Sequence, residues 1–255
     1  MKLSILVPVY NESARLREVF QHLFSTPCPI ERQWIVIDDK STDGTTEILR
    51  ELKKEYHFEL IEQPVNRGKG AAIIKGLQSA TGHFAMVQDA DFEYDPNDVP
   101  DLLKPILEGR ADAVYGSRFK KSGHQVHKTF HYFGNRFLTS LSNIFSGIYL
   151  TDMETCYKLF RIDLVKTMNL RSERFGIEIE FTAYLAKTSA RIFEIPAHYY
   201  PRTRSQGKKI GIRDGIAALF HIVRFNLFTS LDEAFTDLPR CYSPNRYRLP
   251  ATVVE

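Results

Sequence analysis

Along the first half of the chain, short apolar runs alternate with stretches whose apolar residues recur every three or four positions. Leu3-Ser4-Ile5-Leu6-Val7-Pro8 reads as a buried strand, and Asn11 to Phe24 carries Leu16, Val19, Phe20 and Leu23 at helical spacing. The alternation continues. Trp34 to Asp38 predicts a strand, Thr45 to Tyr56 an amphipathic helix, Phe58 to Glu62 a strand, Gly70 to Ala80 a helix and Phe84 to Gln88 a strand. Asp98 to Leu107 reads as helix despite Pro100 and Pro105, with a short strand at Ala113-Val114-Tyr115. Repeated βα units with apolar strands imply a mainly parallel sheet covered on both faces. Ligands of such sheets gather beyond the carboxyl ends of the strands, and the polar motifs after Pro8, Asp38 and Gln88 all fall there.

The second half differs. Phe130 to Leu150 places Phe130, Phe133, Phe137, Leu141, Ile144, Phe145 and Ile148 on one helical stripe. Gly211 to Phe228 carries a second stripe, Ile212, Ile216, Leu219, Phe220, Val223 and Leu227. Packing of the first stripe on the sheet is the expected arrangement, since most such helices face a core. An aromatic-rich helix beside a basic loop also suits a membrane interface, which makes 130–150 a candidate for one. The tail after Ser230 has little periodicity. The expected organisation is a domain over 1–215 and a C-terminal helix with an irregular tail over 216–255.

Composition narrows the classes. The 255 residues are 43% hydrophobic and 25% charged, ordinary for a globular protein, and the net charge of +3 argues against a nucleic-acid coat. Basic residues instead gather at Arg118 to Lys128 and Arg202 to Arg213, which fits a phosphate or an anionic membrane surface. Three widely spaced cysteines, Cys28, Cys156 and Cys241, form no disulfide framework and point to a reducing compartment. No run of roughly 18 apolar residues predicts a bilayer-spanning helix, so the expected location is cytoplasmic, peripheral at the membrane.

The sharpest chemistry is Val87-Gln88-Asp89-Ala90-Asp91-Phe92-Glu93. If the backbone alternates here, Asp89, Asp91 and Glu93 converge on one hard cation. Mg²⁺ is commonly held by one or two carboxylates together with substrate phosphates. Taken alone, such acids are more often surface turn residues than a metal site. Gly68-Lys69-Gly70 lacks Walker A spacing, which disfavours a P-loop ATPase. The eight histidines show no zinc spacing.

Taken together, Pro8 to Glu12, Asp38 to Thr45, Asn66-Arg67-Gly68-Lys69-Gly70 and Gln88 to Asp91 give an order and spacing that resembles family 2 glycosyltransferases with the GT-A fold. Tyr94-Asp95-Pro96, Gly116-Ser117-Arg118-Phe119, Thr151-Asp152-Met153-Glu154-Thr155, Tyr157 to Arg161 and Gly207-Lys208-Lys209-Ile210 look like the branch of dolichyl-phosphate mannose and glucose synthases and their bacterial polyprenyl-phosphate relatives.

The resemblance implies an α/β fold of GT-A type: a Rossmann-like, mainly parallel sheet flanked by helices, with C-terminal amphipathic helices. It implies inverting, metal-dependent transfer of a hexose from a nucleotide-diphosphate sugar, of GDP-mannose or UDP-glucose type, to a polyprenyl phosphate. The implied cofactor is Mg²⁺ or Mn²⁺ on Asp89, Asp91 and Glu93. Pro8, Tyr10, Glu12, Asp39, Lys69, Asp89 and Ala90 would bind donor, with Gly68 and Gly70 letting backbone approach it. Arg118, Arg202, Lys208 and Lys209 would hold the acceptor phosphate, and Asp91, Arg118 and Arg202 would be catalytic. Mannose-synthase relatives often carry Gln where this chain has Glu93, and the Gln-x-x-Arg-Trp signature of processive members is missing.

Three alternatives stand beside this reading. A hydroxyl acceptor on a saccharide or protein needs a general base, for which Glu154 or Asp152 could serve. A nucleotidyltransferase needs an N-terminal glycine-rich loop that this sequence lacks. A non-catalytic adaptor would be expected to lose Asp39, Asp89, Asp91 and Arg202.

Overall fold

The N-terminal apolar run becomes β1 (Lys2–Val9), paired in parallel with β2 (Glu31–Asp38) from Lys2 opposite Glu31 to Val9 opposite Asp38. The computed structural model describes residues 1–120, 129–202 and 212–244. Within them, β3 (Glu59–Glu62) lies parallel on the outer side of β2, and β4 (Phe84–Val87) lies parallel on the other side of β1. Next comes β6 (Lys158–Arg161), antiparallel to both β4 and β5 (Ala113–Ser117), and β7 (Ile192–Pro196) pairs in parallel with β5. The sheet order is β3-β2-β1-β4-β6-β5-β7. The sheet is therefore mainly parallel, with one reversed strand that the apolar pattern did not reveal. β1, β2 and β4 are buried on both faces along most of their length, which explains why they read as near-continuous apolar runs.

The helices are α1 (Leu16–Ser25), α2 (Thr45–Glu55), α3 (Lys69–Ser79), α4 (Val99–Leu107), α5 (Thr129–Ser146), α6 (Ile162–Val165), α7 (Ile177–Ala186), α8 (Ile212–Leu227) and α9 (Leu231–Ala234). α1 starts later than the sequence suggests. Asn11 adopts a left-handed φ of 51°, its N–H donates to Ser41 Oγ at 3.0 Å and its side-chain oxygen accepts from the Thr42 N–H at 2.8 Å. It thus ties two loops together instead of opening the helix.

α5 packs against α7 and α8. The expected packing of its whole apolar stripe on the sheet is not observed. Phe133, Phe137 and Ile144 are 64%, 59% and 76% exposed, while Thr139 and Ser142 on the inward side are buried. Leu141, Phe145 and Ile148 are half-buried against the core. The inward face is polar because it holds the following loop. Thr139 Oγ1 accepts from the Met153 N–H at 3.2 Å, and Asn143 brackets Leu150, donating to its carbonyl at 2.8 Å and accepting from its N–H at 3.1 Å. α8 repeats the pattern. Ile216, Phe220 and Leu227 are exposed and Ile222 and Phe225 are buried.

A division at 215/216 falls inside α8, and the tail rejoins the core. Ser230 and Glu233 form a capping box at α9, Phe235 bridges to Met168, and the Tyr242 carbonyl accepts from the Ser189 N–H at 2.8 Å. Cys28, Cys156 and Cys241 are unpaired. Among the described residues no helix is long and apolar enough to cross a membrane.

Asn143→Ala leaves the buried Leu150 N–H and C=O unpaired, and we expect urea unfolding to show a loss of about 2 kcal/mol. An unchanged midpoint would mean that this bracket does not hold the 150–153 loop.

Candidate active site

Three loops meet beyond the carboxyl ends of β1, β2 and β4. The Glu12 N–H donates to Thr45 Oγ1 at 3.0 Å and the Ser13 N–H to Asp43 Oδ2 at 3.1 Å, joining the first loop to the second. Asp38 is buried and accepts from Ser41 Oγ and Thr46 Oγ1, both at 2.6 Å. Asp39, also buried, accepts from Gln63 Nε2 at 2.7 Å, the Arg67 N–H at 2.9 Å and the Gly68 N–H at 2.6 Å. Its carboxylate visibly holds the 66–68 loop. The glycines of that loop answer to protein. A Cβ on Gly68, whose φ is +96°, would lie 2.7 Å from the Glu173 carbonyl oxygen, and one on Gly70 would lie 2.0 Å from that of Ser172. What approaches them closely in this structure is the 172–174 backbone.

The acidic motif is organised by two cations. β4 ends at Val87, so the alternation expected to carry Asp89 and Asp91 to one side stops before them. Lys69 Nζ lies 2.8 Å from Asp89 Oδ1 and 3.4 Å from Glu178 Oε1. Arg202 takes the other acids. Its Nη2 is 2.6 Å from Asp91 Oδ2, its Nη1 is 3.2 Å from Glu12 Oε2, and its backbone N–H donates to Glu93 Oε1 at 2.8 Å. The Arg202 Nε is buried without a hydrogen-bond partner, 3.7 Å from Glu93 Oε1.

Electrostatics follow this division. Burial opposes the charge of Asp89, but Lys69 holds its pKa below the ordinary value. Burial and the neighbouring Asp89 charge push Asp91 up to about 7, against the pull of Arg202. Burial also works against the Lys69 ammonium, yet Asp89 and Glu178 keep its pKa well above the usual range.

No three His, Cys, Asp or Glu side chains among the described residues are gathered closely enough to chelate an ion as they stand. The donor set nevertheless fits a hard divalent cation. Its atoms are carboxylate oxygens, and positive groups already rest on each of Asp89, Asp91 and Glu93.

Arg118, expected at the acceptor phosphate, is clamped to the fully buried Asp152, with Nε–Oδ2 and Nη2–Oδ1 both at 2.7 Å. Asp152 is in turn positioned by Glu194, which accepts from its N–H at 3.0 Å. This removes Asp152 from consideration as a base, because both of its oxygens are engaged. Glu154 is different. It is half-buried, one carboxylate oxygen is shielded with no hydrogen-bond partner, and burial, only partly offset by Lys158, pushes its pKa up to about 7. Pro8 lies in β1, Tyr10 is half-exposed beside Glu12, and Ala90 is buried between Asp89 and Asp91. Lys208 and Lys209, with most of both basic runs, lie outside the described residues.

The comparisons with known proteins point the same way. Residues 4–168 match the model of Glycosyl transferase family 2. The chain belongs to that family. Its similarity to the dolichol-phosphate mannosyltransferase of Pyrococcus furiosus is 28% identity over 218 residues, 83% of this chain and 60% of that one. The chain thus spans about three-fifths of the length of this relative. Among solved structures, residues 1–349 of S. aureus TarS in complex with UDP superpose with a TM-score of 0.62 at 23% identity, covering 91% of this chain and 68% of that one. Glucosyl-3-phosphoglycerate synthase of Mycobacterium tuberculosis, in complex with Mn²⁺, UDP and glucosyl-3-phosphoglycerate, gives 0.67 at 17% identity over 88% and 80%. These likenesses establish the GT-A fold.

Sequence reasoning missed the residues underneath the family 2 site. Lys158, fully buried, donates to Glu178 Oε2 at 2.6 Å and to the Met153 carbonyl at 2.9 Å. Glu178 and Glu180 both lie buried on α7, and the available signal was a pair of acids inside an otherwise apolar helix.

The raised pKa of Glu154 has a defined consequence for stability. A carboxyl that binds its proton more tightly when folded adds stability that is complete below the unfolded value of about 4.5 and is lost as pH rises through about 7. Glu154→Gln should therefore gain in melting temperature relative to wild type between pH 5 and pH 8. Parallel profiles would show that Glu154 ionises freely in the folded protein.

Proposed function

We propose that the chain catalyses inverting transfer of a hexose from a nucleotide-diphosphate sugar to a polyprenyl phosphate, working as a peripheral protein on the cytoplasmic face of a membrane. The observation that carries the lipid acceptor is the outward apolar face of α5 and α8, bearing Phe133, Phe137, Ile144, Ile216, Phe220 and Leu227. Large exposed apolar surfaces mark interaction sites. In sequence each of these helices follows a basic run, Arg118 to Lys128 or Arg202 to Arg213, which suits anionic headgroups. The relationship to a dolichol-phosphate mannosyltransferase supports the same acceptor. The UDP in the TarS complex, and the UDP and Mn²⁺ in the glucosyl-3-phosphoglycerate synthase complex, support a nucleotide-sugar donor and a divalent ion.

In this reading Glu12, Tyr10 and Pro8 receive the nucleoside, with Asp39 holding the loop that closes its pocket. Asp89, Asp91 and Glu93 would hold Mg²⁺ or Mn²⁺, which would supply positive charge to offset that of the nucleotide diphosphate leaving group. Lys69 adds positive charge at the same place, and Arg202 joins Arg118 at the acceptor phosphate. Arg118 orients the acceptor phosphate, its guanidinium plane fixed by Asp152. A phosphate monoester has a second pKa of about 6 and is largely dianionic at neutral pH, so it attacks without a protein base. Rate enhancement then rests on alignment and on charge placed in advance.

Glu154 favours a second reading, a hydroxyl acceptor. A carboxyl with a pKa of about 7 and an unengaged oxygen has the properties of a general base.

Labelled GDP- and UDP-sugars offered with extracted polyprenyl phosphate and Mg²⁺ or Mn²⁺ test the proposal. Label should enter the organic phase from one donor and fall by about 100-fold or more in Asp91→Ala. Label entering only a water-soluble glycan would establish the second reading instead.

Replacing Phe133, Phe137 and Phe220 together with Ser should abolish co-sedimentation with anionic liposomes, since each buried phenyl contributes about 1.5–3 kcal/mol. Unchanged binding by a folded variant would remove the membrane from the proposal.

A further inference from the structure

Arg202 stands in an unexpected place for a residue assigned to an acceptor phosphate. Its guanidinium reaches Asp91 Oδ2 at 2.6 Å and Glu12 at 3.2 and 3.3 Å, and its Nε lies 3.7 Å from Glu93. The segment carrying it is fixed from the same side. The Tyr200 N–H donates to the Glu93 carbonyl at 2.8 Å, Tyr199 bridges to Tyr94, and His198 meets Asp98 at 2.7 Å. The last described residue of this strap thus lies across the mouth of the acidic loop. One positive side chain touches carboxylates from the loop after β1 and the loop after β4, and no three acids among the described residues are drawn together for a metal.

We propose that Arg202 is the resident counter-cation of the acidic loop, and that a divalent metal binds by displacing its guanidinium from Asp91 and Glu93. This rests on the metal-dependent reading above and adds to it a role for Arg202. Its occupancy of the acids and its availability to phosphate exclude each other, so loading the metal frees the arginine. Its chemistry suits both positions, because a guanidinium fork matches carboxylate and phosphate alike. The exchange also keeps the loop from holding several uncompensated, half-buried carboxylates before metal arrives, a costly state. Lys69, by contrast, is anchored from below by Glu178 as well as Asp89 and stays in place.

The exchange is read on the full chain without sugar nucleotide or acceptor, by electron paramagnetic resonance of free Mn²⁺. Removing a cation a few ångströms from the ligands should tighten Mn²⁺ binding in Arg202→Gln by about ten-fold or more. Arg202→Lys, which keeps the charge, should stay near wild type, and Asp91→Ala added to Arg202→Gln should abolish the gain. In wild type, saturating Mn²⁺ should also raise the rate at which phenylglyoxal modifies Arg202, followed by peptide mass spectrometry. Equal Mn²⁺ affinity in wild type and a folded Arg202→Gln, or unchanged Arg202 reactivity, overturns the exchange and leaves the transferase proposal standing. Absence of Mn²⁺ binding in every variant overturns the exchange, while the metal-dependent reading is decided separately by label transfer with and without the divalent ion in the presence of the sugar nucleotide, whose phosphates complete the site.

Discussion

A lysine ammonium with no access to solvent must be neutralised where it lies, and Lys158 governs what is built above it. It takes the Met153 carbonyl at 2.9 Å, the Thr155 carbonyl and Glu178 at 2.6 Å. Glu178 presents its other oxygen to Lys69 at 3.4 Å, and Lys69 reaches Asp89 at 2.8 Å. Positive and negative groups therefore alternate from the interior to the cleft, joining β6, α7, α3 and the loop after β4. Removing one partner of a buried pair typically costs about 3–5 kcal/mol, because the other charge is left uncompensated. Lys69 is the first residue of α3, so the chain of charges meets that helix at its start, beside the Gly68 and Gly70 contacts on the 172–174 backbone.

The first half of the fold was legible because β1, β2 and β4 are buried on both faces and its helices on one, so each leaves a distinct apolar pattern. β6 and β7 were not. Lys158-Leu159-Phe160-Arg161 opens with a buried lysine, and β7 carries Glu194, whose carboxylate holds Thr151 and Asp152. Charges at buried positions erase the pattern on which strand reading depends. Among site residues, Asp39, Asp91 and Arg202 stood out through motif order, while Glu178 could not. Its partners are set by tertiary contacts, just as Arg202 meets Glu12 across 190 positions of sequence.

Periodicity located the apolar stripe of α5 but could not say which way its residues face. The decision lies with the inward side, where Thr139 and Asn143 use their polar groups to hold Met153 and Leu150. A helix committed to positioning that loop turns Phe133, Phe137 and Ile144 outward. The same loop carries Asp152, which clamps Arg118. The apolar outer face and the clamped Arg118 are thus consequences of one helix orientation, which links the outward apolar surface to the geometry of the candidate acceptor site.

Position 93 shows how charge, rather than hydrogen bonding alone, shapes the cleft. A glutamine there could accept the Arg202 N–H as the Glu93 oxygen does at 2.8 Å. It would not add to the field that Asp91 feels, to which Glu93 contributes after burial and Asp89. With the acid, four carboxylates (Glu12, Asp89, Asp91 and Glu93) face the two cations Lys69 and Arg202, leaving an excess of negative charge at the mouth of the cleft. Such an excess favours any mobile cation that can reach oxygen ligands. The contacts of the glutamate are with its own loop and with Arg202, Tyr200 and their strap, so its charge acts on the same acids and the same arginine that close the mouth of the cleft.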